Sequence, residues 1–350
     1  MPSTPTAPGR SRPDLVSSLT TVFKQLATIK PKEARATVGL DIGSSAIKVL
    51  VLGSRRGGSS RPVIAQNLVP LEGGQDADAS EAIKAAIKTL QLPTKSINLS
   101  VSGQWVIMRI VEMPTMKPAE MKQALPFEAQ RYLPFNVQDV IIDGVALGPA
   151  DANKTWVLIV ACKKELIERR LDWVKRAGLE VALIDVDALA LANAFLASSN
   201  GRKSEGTVAL INVGAQLTNL VILKQQVPYL VRDIPWGAEK LIRAAAEQLK
   251  MEEGTVTQQL TQGTANPELL SALKLLSEAL ISELQLSFDY FENRFGHPPD
   301  EILLTGGLGQ SAAFAEALKA HLAQPVSQWT PLKGLSAQFA VAYGLALRSD

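Results

Sequence analysis

Cysteine and histidine are scarce in this chain. Its 350 residues include one cysteine, Cys162, and two histidines, His297 and His321. A single cysteine excludes disulfides within the chain and cysteine-cluster metal sites, and two histidines leave little for a histidine-based metal site or catalytic triad. We expect both histidines to lie at the surface and Cys162 to be a small buried residue.

Long apolar runs and a strong net charge are also missing. The longest unbroken apolar run, Trp156–Cys162, has seven residues, against the roughly 20 that a membrane-spanning helix needs. No apolar stretch follows the arginines and prolines at the N-terminus, so we expect a cytoplasmic protein without a secretory signal. The 36 basic and 34 acidic residues leave a net charge of +2, which argues against a nucleic-acid-binding protein.

The N-terminal part carries most of the positive charge. Residues 1–62 contain ten basic and three acidic side chains, so this part could contact anionic lipid headgroups, although a solvated tail is the simpler interpretation. Residues 1–35 are predicted to be a flexible segment, and the apolar spacing within residues 13–29 allows a short amphipathic helix.

The composition indicates a globular protein of two domains. Hydrophobic residues make up 46% of the chain and charged residues 20%, and a chain of this length divides into about two domains. The polar segment around residues 200–206 is the best candidate for the boundary. We therefore predict domain 1 over residues 36–205 and domain 2 over residues 206–350.

A strand–turn–strand pattern occurs twice, at residues 38–52 and 207–223. Each copy ends its first strand with an acidic or amide residue, places a glycine two residues later and continues with hydroxyl residues: Asp41, Gly43, Ser44 and Ser45, then Asn212, Gly214 and Thr218. A third glycine turn, Gly306-Gly307, follows a predicted strand. No Walker loop or dinucleotide fingerprint is present.

Paired turns of this kind suit phosphate. Glycine allows the backbone to approach phosphate oxygens closely, and backbone N–H groups and hydroxyls donate to them. Asp41 could hold a magnesium ion or its water shell, and Lys48 on the following strand could meet a phosphate. Either glycine alone would more often make a plain hairpin, but the duplication together with the third turn favours a ligand.

These segments resemble the actin, Hsp70 and sugar-kinase superfamily. Val38–Ser45 is similar to its first phosphate motif, Asn212–Thr218 to its second, and Leu304–Gly307 to its adenosine motif. Within it, the chain resembles the PilM family of type IV pilus assembly proteins, which are related to FtsA. The resemblance covers residues 36–348, and its segments are Asp41–Lys48, Met113-Pro114, Phe127–Phe135, Lys163–Glu165, Ala177–Glu180, Asp185–Asp187, Ala209–Ala215 and Phe339–Arg348.

The resemblance implies an α/β, actin-like two-domain fold of the Hsp70/FtsA type with duplicated βββαβα cores. It implies a FtsA-like inserted subdomain near residues 103–178 and a last helix, 337–348, that packs back toward domain 1. It also implies ATP with magnesium in the central cleft. The implied nucleotide contacts are Asp41 (with the metal), Gly43, Ser44, Ser45, Lys48, Asn212, Gly214, Ala215, Gln216, Thr218, Glu239, Glu283, Gly306, Gly307 and Leu308.

The resemblance also implies a partner. PilM-like proteins hold the N-terminal cytoplasmic peptide of the membrane protein PilN in a groove of the first domain, and they form a ring at the inner membrane through it. In this chain the candidate walls of the groove are apolar residues of the inserted subdomain: Met121, Leu125, Tyr132 and Phe135. The protein is then expected to be peripheral at the inner membrane.

Two positions depart from the superfamily pattern. Asn212 stands where Asp is usual, and an amide cannot supply the charge that orients an attacking water, so hydrolysis is expected to be slow or absent. Glu239 is a weak candidate to compensate, or an exposed residue at a helix start. Leu286 stands where the pattern often has a basic residue. A kinase, a FtsA-like filament protein and a GspL-like cytoplasmic domain remain alternative functions.

Overall fold

The computed structural model describes residues 36–54, 61–72, 78–198 and 206–348. Its strands are β1 Thr37–Ile42, β2 Ala46–Leu52, β3 Val63–Pro70, β4 Ser96–Val101, β5 Val106–Pro114, β6 Val140–Pro149, β7 Lys154–Lys163, β8 Glu180–Val186, β9 Thr207–Val213, β10 Thr218–Lys224, β11 Val227–Ile234, β12 Glu301–Thr305 and β13 Val326–Gln328. Its helices are α1 Ser80–Lys88, α2 Pro118–Gln130, α3 Lys164–Arg176, α4 Asp187–Ser198, α5 Ala238–Leu249, α6 Glu253–Gln262, α7 Pro267–Leu276, α8 Glu278–Phe295, α9 Gly306–Gly309, α10 Ala312–Lys319 and α11 Ala340–Ala346.

Two five-stranded sheets share one topology. The first has the strand order β3-β2-β1-β4-β8 and the second the order β11-β10-β9-β12-β13. In each sheet the first three strands of the chain pair antiparallel and the remaining two run parallel to the first. Because β1, β2, β9 and β10 are buried over nearly their whole length, they are almost continuously apolar. The predicted duplication and the α/β class are confirmed.

A separate three-stranded sheet, β5-β7-β6, lies within residues 106–163. Helix α2 packs on it through Leu125 and Ala129, which join Val111, Val157 and Ile159 in a small apolar cluster. The other face of β7 is continuous with the core of the first sheet. This is the region in which the sequence predicts an inserted subdomain.

The last helix crosses from the second half of the chain to the first. α11 packs against α4 and β1 at very short range, because a Cβ atom on Gly344 would lie 1.8 Å from the Ala190 carbonyl oxygen and one on Gly39 would lie 2.1 Å from that of Ala342. Beyond the helix, Arg348 forms a buried ion pair with Asp185 on β8 at 3.5 Å.

Residues 206–348 differ from the sequence interpretation in two places. The region 254–267, which is polar and of variable texture in the sequence, contains most of α6, whose buried residues are Val256 and Leu260; so narrow an apolar face gives a weak periodic signal. The single long helix expected over 267–295 is divided at the fully buried Ser277 into α7 and α8. The N-terminal segment 1–35 lies outside the described residues. Among the residues that are described, no helix is long and apolar enough to cross a membrane.

Candidate functional site

The three glycine turns predicted from the sequence meet at one cavity of about 370 Å³ between the two large sheets. Twelve of the predicted nucleotide contacts line it: Asp41, Gly43, Ser44, Ser45, Lys48, Asn212, Gly214, Ala215, Glu239, Gly306, Gly307 and Leu308. Residues almost 270 positions apart in the chain are thus brought to one cleft by the duplicated topology.

The first turn joins β1 to β2. Gly43 N–H donates to the Ala46 carbonyl over 3.1 Å, and a Cβ atom at residue 43 would lie 3.1 Å from that oxygen and 3.2 Å from Lys48 Nζ. Asp41 and Lys48 are directly opposite across the hairpin and form an ion pair of 2.8 Å. The turn therefore presents an open backbone with a lysine and a carboxylate behind it.

The second turn joins β9 to β10 and is hydrogen-bonded to the start of α5. Gly214 N–H donates to the Leu217 carbonyl, and the carbonyls of Gly214 and Ala215 accept from the N–H groups of Ala238 and Glu239, each over 2.9 Å. Helix N-termini leave N–H groups without intrahelical partners, and the turn supplies two of the missing acceptors. The approach requires a glycine at residue 237, where a Cβ atom would lie 2.3 Å from the Ala215 oxygen.

The third turn follows β12 and passes over Asn212. Gly306 has φ +88°, and a Cβ atom there would lie 2.5 Å from Asn212 Oδ1. Both the left-handed backbone and the contact exclude other residues. The cleft is therefore lined by backbone at three places, as expected of a cradle for an extended anionic group.

Three predicted nucleotide contacts lie elsewhere. Thr218 is fully buried and its hydroxyl donates to the Trp236 carbonyl over 2.8 Å. Gln216 faces outward and donates to Glu239 Oε2 over 2.9 Å. Glu283 does not line the cavity; its carboxylate pairs with Arg232 at 2.5 Å, so the structure places it outside the predicted nucleotide site.

The cavity also contains residues that the sequence interpretation missed. They come from the ends of strands and from helices whose placement only the fold reveals: Ser102, Asp187, Asn219, Ala238, Ile242, Thr257, Leu260, Thr261, Ser311, Gln338 and Val341. Asp187 stands out because it directly follows β8, the position at which a strand end delivers a side chain to a cleft. That signal was present in the sequence.

Asp187 is a second carboxylate beside Asp41. It accepts a hydrogen bond of 2.6 Å from Ser100 Oγ. Burial and the neighbouring charge of Asp41 raise the pKa of Asp187, while Ser100, Ser102 and Arg170 oppose the rise. Buried Arg170 on α3 has its own pKa lowered by desolvation. The described residues contain no group of three metal-ligating side chains, so a hard cation here would complete its shell with water or ligand oxygens.

A chain of side-chain hydrogen bonds leads away from the cavity. Asn212 Nδ2 donates to Asn219 Oδ1 over 2.8 Å, and Asn219 Nδ2 donates to Asp233 Oδ1 over 2.8 Å. The other oxygen of Asp233 accepts from the N–H of Gly103 over 2.7 Å. Burial raises the pKa of Asp233 to about 6. The chain joins the second turn to the segment that enters β5.

The four predicted partner contacts are not equally accessible. Leu125 is only 3% exposed and packs in the apolar cluster between α2 and the three-stranded sheet, so it offers no contact surface. Tyr132 is half-buried and its hydroxyl donates to Glu128. Phe135 stacks on Trp105 with 6.1 Å between ring centroids, and the Lys163 ammonium lies over both rings. Met121 is half-buried at the edge of the cluster.

The most exposed apolar side chain on α2 is one that the prediction left out. Phe127 is 78% exposed, whereas Leu125, two positions earlier, faces the sheet. A helix turns by about 100° per residue, so these two side chains point to different faces. The prediction chose the inward face because helical spacing alone does not show which stripe meets the sheet.

The duplicated sheets and the glycine-lined cleft between them define a protein of the actin-like ATPase fold. A family model described as type IV pilus assembly protein PilM matches residues 39–350. The chain therefore belongs to the PilM family, as its sequence resemblance indicated.

Solved structures agree on the fold. A chain of a PilM-PilN type IV pilus biogenesis complex superposes with a TM-score of 0.76 at 22% identity, covering 89% of this chain and 97% of that one. The ethanolamine utilization protein EutJ of Carboxydothermus hydrogenoformans gives 0.54 at 14% identity, covering 95% and 96%. A Bacteroides thetaiotaomicron protein of unknown function with an actin-like ATPase fold gives 0.51 at 11%, covering 91% and 97%.

Proposed function

We propose that this protein is an ATP-binding scaffold of the type IV pilus inner-membrane assembly complex, and that it binds the N-terminal cytoplasmic peptide of a PilN-like membrane protein. The observation that carries the nucleotide part is the convergence of three glycine turns on one cleft. Family membership over residues 39–350 supports the pilus role, and the likeness to a chain of a PilM-PilN complex supports the partner.

The donor set of the cleft fits a nucleotide with magnesium. The turns that begin at Gly43, Gly214 and Gly306 would receive phosphate oxygens, with hydroxyls from Ser44 and Ser45 beside them. Asp41 would face the cation directly or through water, which accords with the few protein ligands that magnesium takes. Lys48, now paired with Asp41, is within reach of the same turn.

The nucleotide base would be held by residues of the cavity wall, and Glu283 would not contact it. Ile242 and Leu260 form an apolar wall of the cavity, and Thr257 and Thr261 of α6 contribute two hydroxyl groups. Ligand pockets combine apolar walls with a few polar groups that fix orientation. The nucleotide would then touch both halves of the molecule and stabilise their closed arrangement, acting as a conformational ligand.

Hydrolysis is expected to be slow. Asn212 is neutral, its Nδ2 is engaged by Asn219, and Asp187 already accepts from Ser100. A turnover number near the enzyme median of about 10 per second would contradict the scaffold function and favour a kinase-like enzyme.

The nucleotide assignment is tested by calorimetric titration of ATP with magnesium. We expect Gly43→Val, which fills the first turn, and Asp41→Ala to weaken binding by about 100-fold or more, or nearly 3 kcal/mol. Matched controls are Gly254→Val on the open face of α6 and Asp289→Ala on α8, which should bind like the parent. Folding of each variant is checked by its melting temperature. If the folded Gly43→Val and Asp41→Ala variants bind ATP as the parent does, the assignment of the nucleotide site to this cleft is wrong.

The partner assignment is tested with the N-terminal peptide of the PilN-like protein from the same bacterium. We place the groove on the inserted subdomain, where Phe127 is exposed and Phe135, Trp105 and Lys163 form a partly open stack. Phe127→Ser and Phe135→Ser should weaken peptide binding, whereas Leu275→Ser, which removes an exposed leucine on α7, should not. Equal binding by all variants would place the peptide elsewhere.

A further inference from the structure

A second groove lies apart from the central cleft. It has a volume of about 330 Å³ and is bounded by Met108–Ile110 of β5, Tyr229–Arg232 of β11 and one face of α8. It therefore sits where the inserted subdomain meets domain 2. None of its lining residues lines the central cavity, so the nucleotide site does not explain it.

Large apolar side chains are exposed along this groove. Leu286 is 62% exposed and Tyr290, one helical turn later, is 52% exposed, and both line the groove together with Met108, Ile110 and Val231. Only five large apolar residues among those the structure describes reach such exposure, and two of them are these neighbours. Adjacent exposed apolar residues beside a concave surface are typical of a docking site.

The groove is also positively charged. Three arginines line it, and no Asp or Glu does so within the described part of the chain. Arg232 is neutralised by Glu283 at 2.5 Å, whereas the hydrogen bond that the Arg109 guanidinium makes within the described part of the chain goes to the carbonyl of Met108. Arg294 is 3.9 Å from Glu112, a carboxylate that Lys154 approaches more closely at 3.0 Å. Its guanidinium also donates to the Tyr290 hydroxyl over 2.8 Å and lies 4.6 Å from the centroid of the Trp156 ring. An incoming carboxylate would therefore meet Arg109, which has no carboxylate partner among the described residues, and Arg294, whose nearest carboxylate is 3.9 Å away.

Both strands beside the groove are end strands of their sheets, and they pack against each other. β5 is the end strand of its sheet and β11 the end strand of the other, and no backbone pairing joins them among the described residues. An end strand offers unpaired N–H and C=O groups that an extended peptide can satisfy, while its side chains enter neighbouring pockets.

Charge decides between the possible occupants. The chain's own segment 1–35 contains six basic and two acidic residues, so it would be repelled by the arginines. A symmetric contact with a second copy would place the same arginines against each other. We propose that this groove binds an extended acidic segment of a partner protein, with an aliphatic or aromatic anchor placed against Leu286 and Tyr290 and carboxylates placed against Arg109 and Arg294.

The test is a selection from a phage library of random linear peptides of roughly 12 residues, a length that can follow a strand edge. The full-length protein is the bait, and phage that also bind the double variant Arg109→Glu/Leu286→Asp are removed. We expect the enriched sequences to carry several acidic residues around a leucine or aromatic residue. An enriched peptide is then synthesised with a fluorophore and titrated by anisotropy.

Matched variants separate the groove from general surface effects. Arg109→Glu and Leu286→Asp should each weaken the synthetic peptide by about tenfold or more, whereas Lys274→Glu and Leu275→Asp, on the exposed side of α7, should leave it within about twofold. Raising sodium chloride from about 50 to 500 mM should weaken binding, because the carboxylate contacts are screened.

Three outcomes would overturn the proposal. One is a selection that enriches no acidic sequences; another is a peptide bound equally by the groove variants and their controls. The third is sedimentation showing self-association that Leu286→Asp abolishes, which would make the groove an interface between copies of this chain. Melting temperatures establish that each variant is folded, as expected for substitutions at exposed positions.

Discussion

Asp233 fixes the orientation of the Asn219 side chain. An ionised carboxylate only accepts hydrogen bonds, so Asn219 turns its Nδ2 toward Asp233 and is left with Oδ1 toward Asn212. Residue 212 must then donate, which an amide does and a carboxylate does not. The amide at position 212, where the superfamily usually has Asp, thus has a local cause. The negative charge of this hydrogen-bonded chain lies at Asp233, which is two hydrogen bonds away from Asn212.

The same carboxylate joins the two halves of the molecule through the N–H of Gly103. We predict that Asp233→Ala frees this N–H and lowers the unfolding free energy by about 1.5–3 kcal/mol per lost charged hydrogen bond. Amide hydrogen exchange at Gly103 should accelerate, while Asp289→Ala should leave it unchanged. Unchanged protection at Gly103 in Asp233→Ala would mean that the bond does not hold the segment.

The close packing of α11 on α4 gives a prediction about glycine. Gly344→Ala would place a methyl group 1.8 Å from the Ala190 carbonyl oxygen, and since both groups belong to packed helices, the backbone must move. We expect a loss of at least about 3 kcal/mol, at the upper end of overpacking effects. Gly254→Ala on α6, where nothing lies within 4 Å, should stabilise the protein by up to about 1 kcal/mol. Chemical denaturation measures both.

Sequence alone predicted the parts of the site that depend on local chain order. Gly43, Gly214 and Gly306 follow strand ends within a repeated pattern, so their convergence follows from the duplication. It could not predict the contribution of α6, because Thr257 and Thr261 reach the cavity only through the packing of a helix with a weak apolar face. The position of Glu283 outside the cavity was equally hidden, because its neighbour in space, Arg232, is 51 residues away in the chain.

The sequence also could not predict which apolar side chains of α2 are exposed. Leu125 and Phe127 have similar character and lie two positions apart, and only the sheet beneath them decides which is buried. Gly144 allows Leu125 to approach β6, where a Cβ atom would meet Leu125 at 2.7 Å. A glycine inside a strand often marks a close approach of this kind, but its partner cannot be identified from the sequence.

Buried Asp143 should make stability depend on pH. It is 8% exposed, its Oδ2 has no hydrogen-bond partner among the residues that the structure describes, and desolvation raises its pKa to about 6, opposed by the Gly144 N–H and by Lys122. A raised pKa means that the folded state binds the proton more tightly than the unfolded chain does. The contribution of this group to stability is therefore lost as pH rises from about 4 through 6.

Asp143→Asn removes that dependence. The unfolding free energy of the variant minus that of the parent should rise by up to about 3 kcal/mol between pH 4 and pH 8, since one pKa unit corresponds to about 1.4 kcal/mol. Asp233, whose pKa is also raised to about 6, titrates in both proteins and cancels in the difference. Urea denaturation at both pH values measures the change; a constant difference would mean that Asp143 is ionised without penalty.

The buried pair Arg348–Asp185 should hold the chain end to the first sheet. Removing one partner leaves the other charge buried without compensation, so Arg348→Ala is expected to cost about 3–5 kcal/mol. Arg348→Met/Asp185→Asn removes both charges and should recover a large part of that loss. If Arg348→Ala were as stable as the parent, the pair would contribute no anchoring.

The polarity of the chain from Asn212 to Asp233 gives the sharpest prediction. Asn212→Asp places an acceptor against Asn219 Oδ1, and turning Asn219 over would only move the conflict to Asp233, so the variant should lose about 1–3 kcal/mol. Asp233→Asn alone brings an amide donor to face another donor, either the Asn219 Nδ2 or the Gly103 N–H. Only a rotation of both the Asn219 and the Asn212 amides removes the clash, so this variant should also be destabilised.

In the double variant every bond can reverse: the new amide at position 233 accepts from Gly103 and donates to Asn219, which then donates to the new carboxylate at position 212. We therefore expect the double variant to be more stable than either single one, with a favourable coupling energy of about 1–3 kcal/mol. Denaturation of all four proteins measures it, and additive losses would show that the hydrogen bonds have no fixed direction.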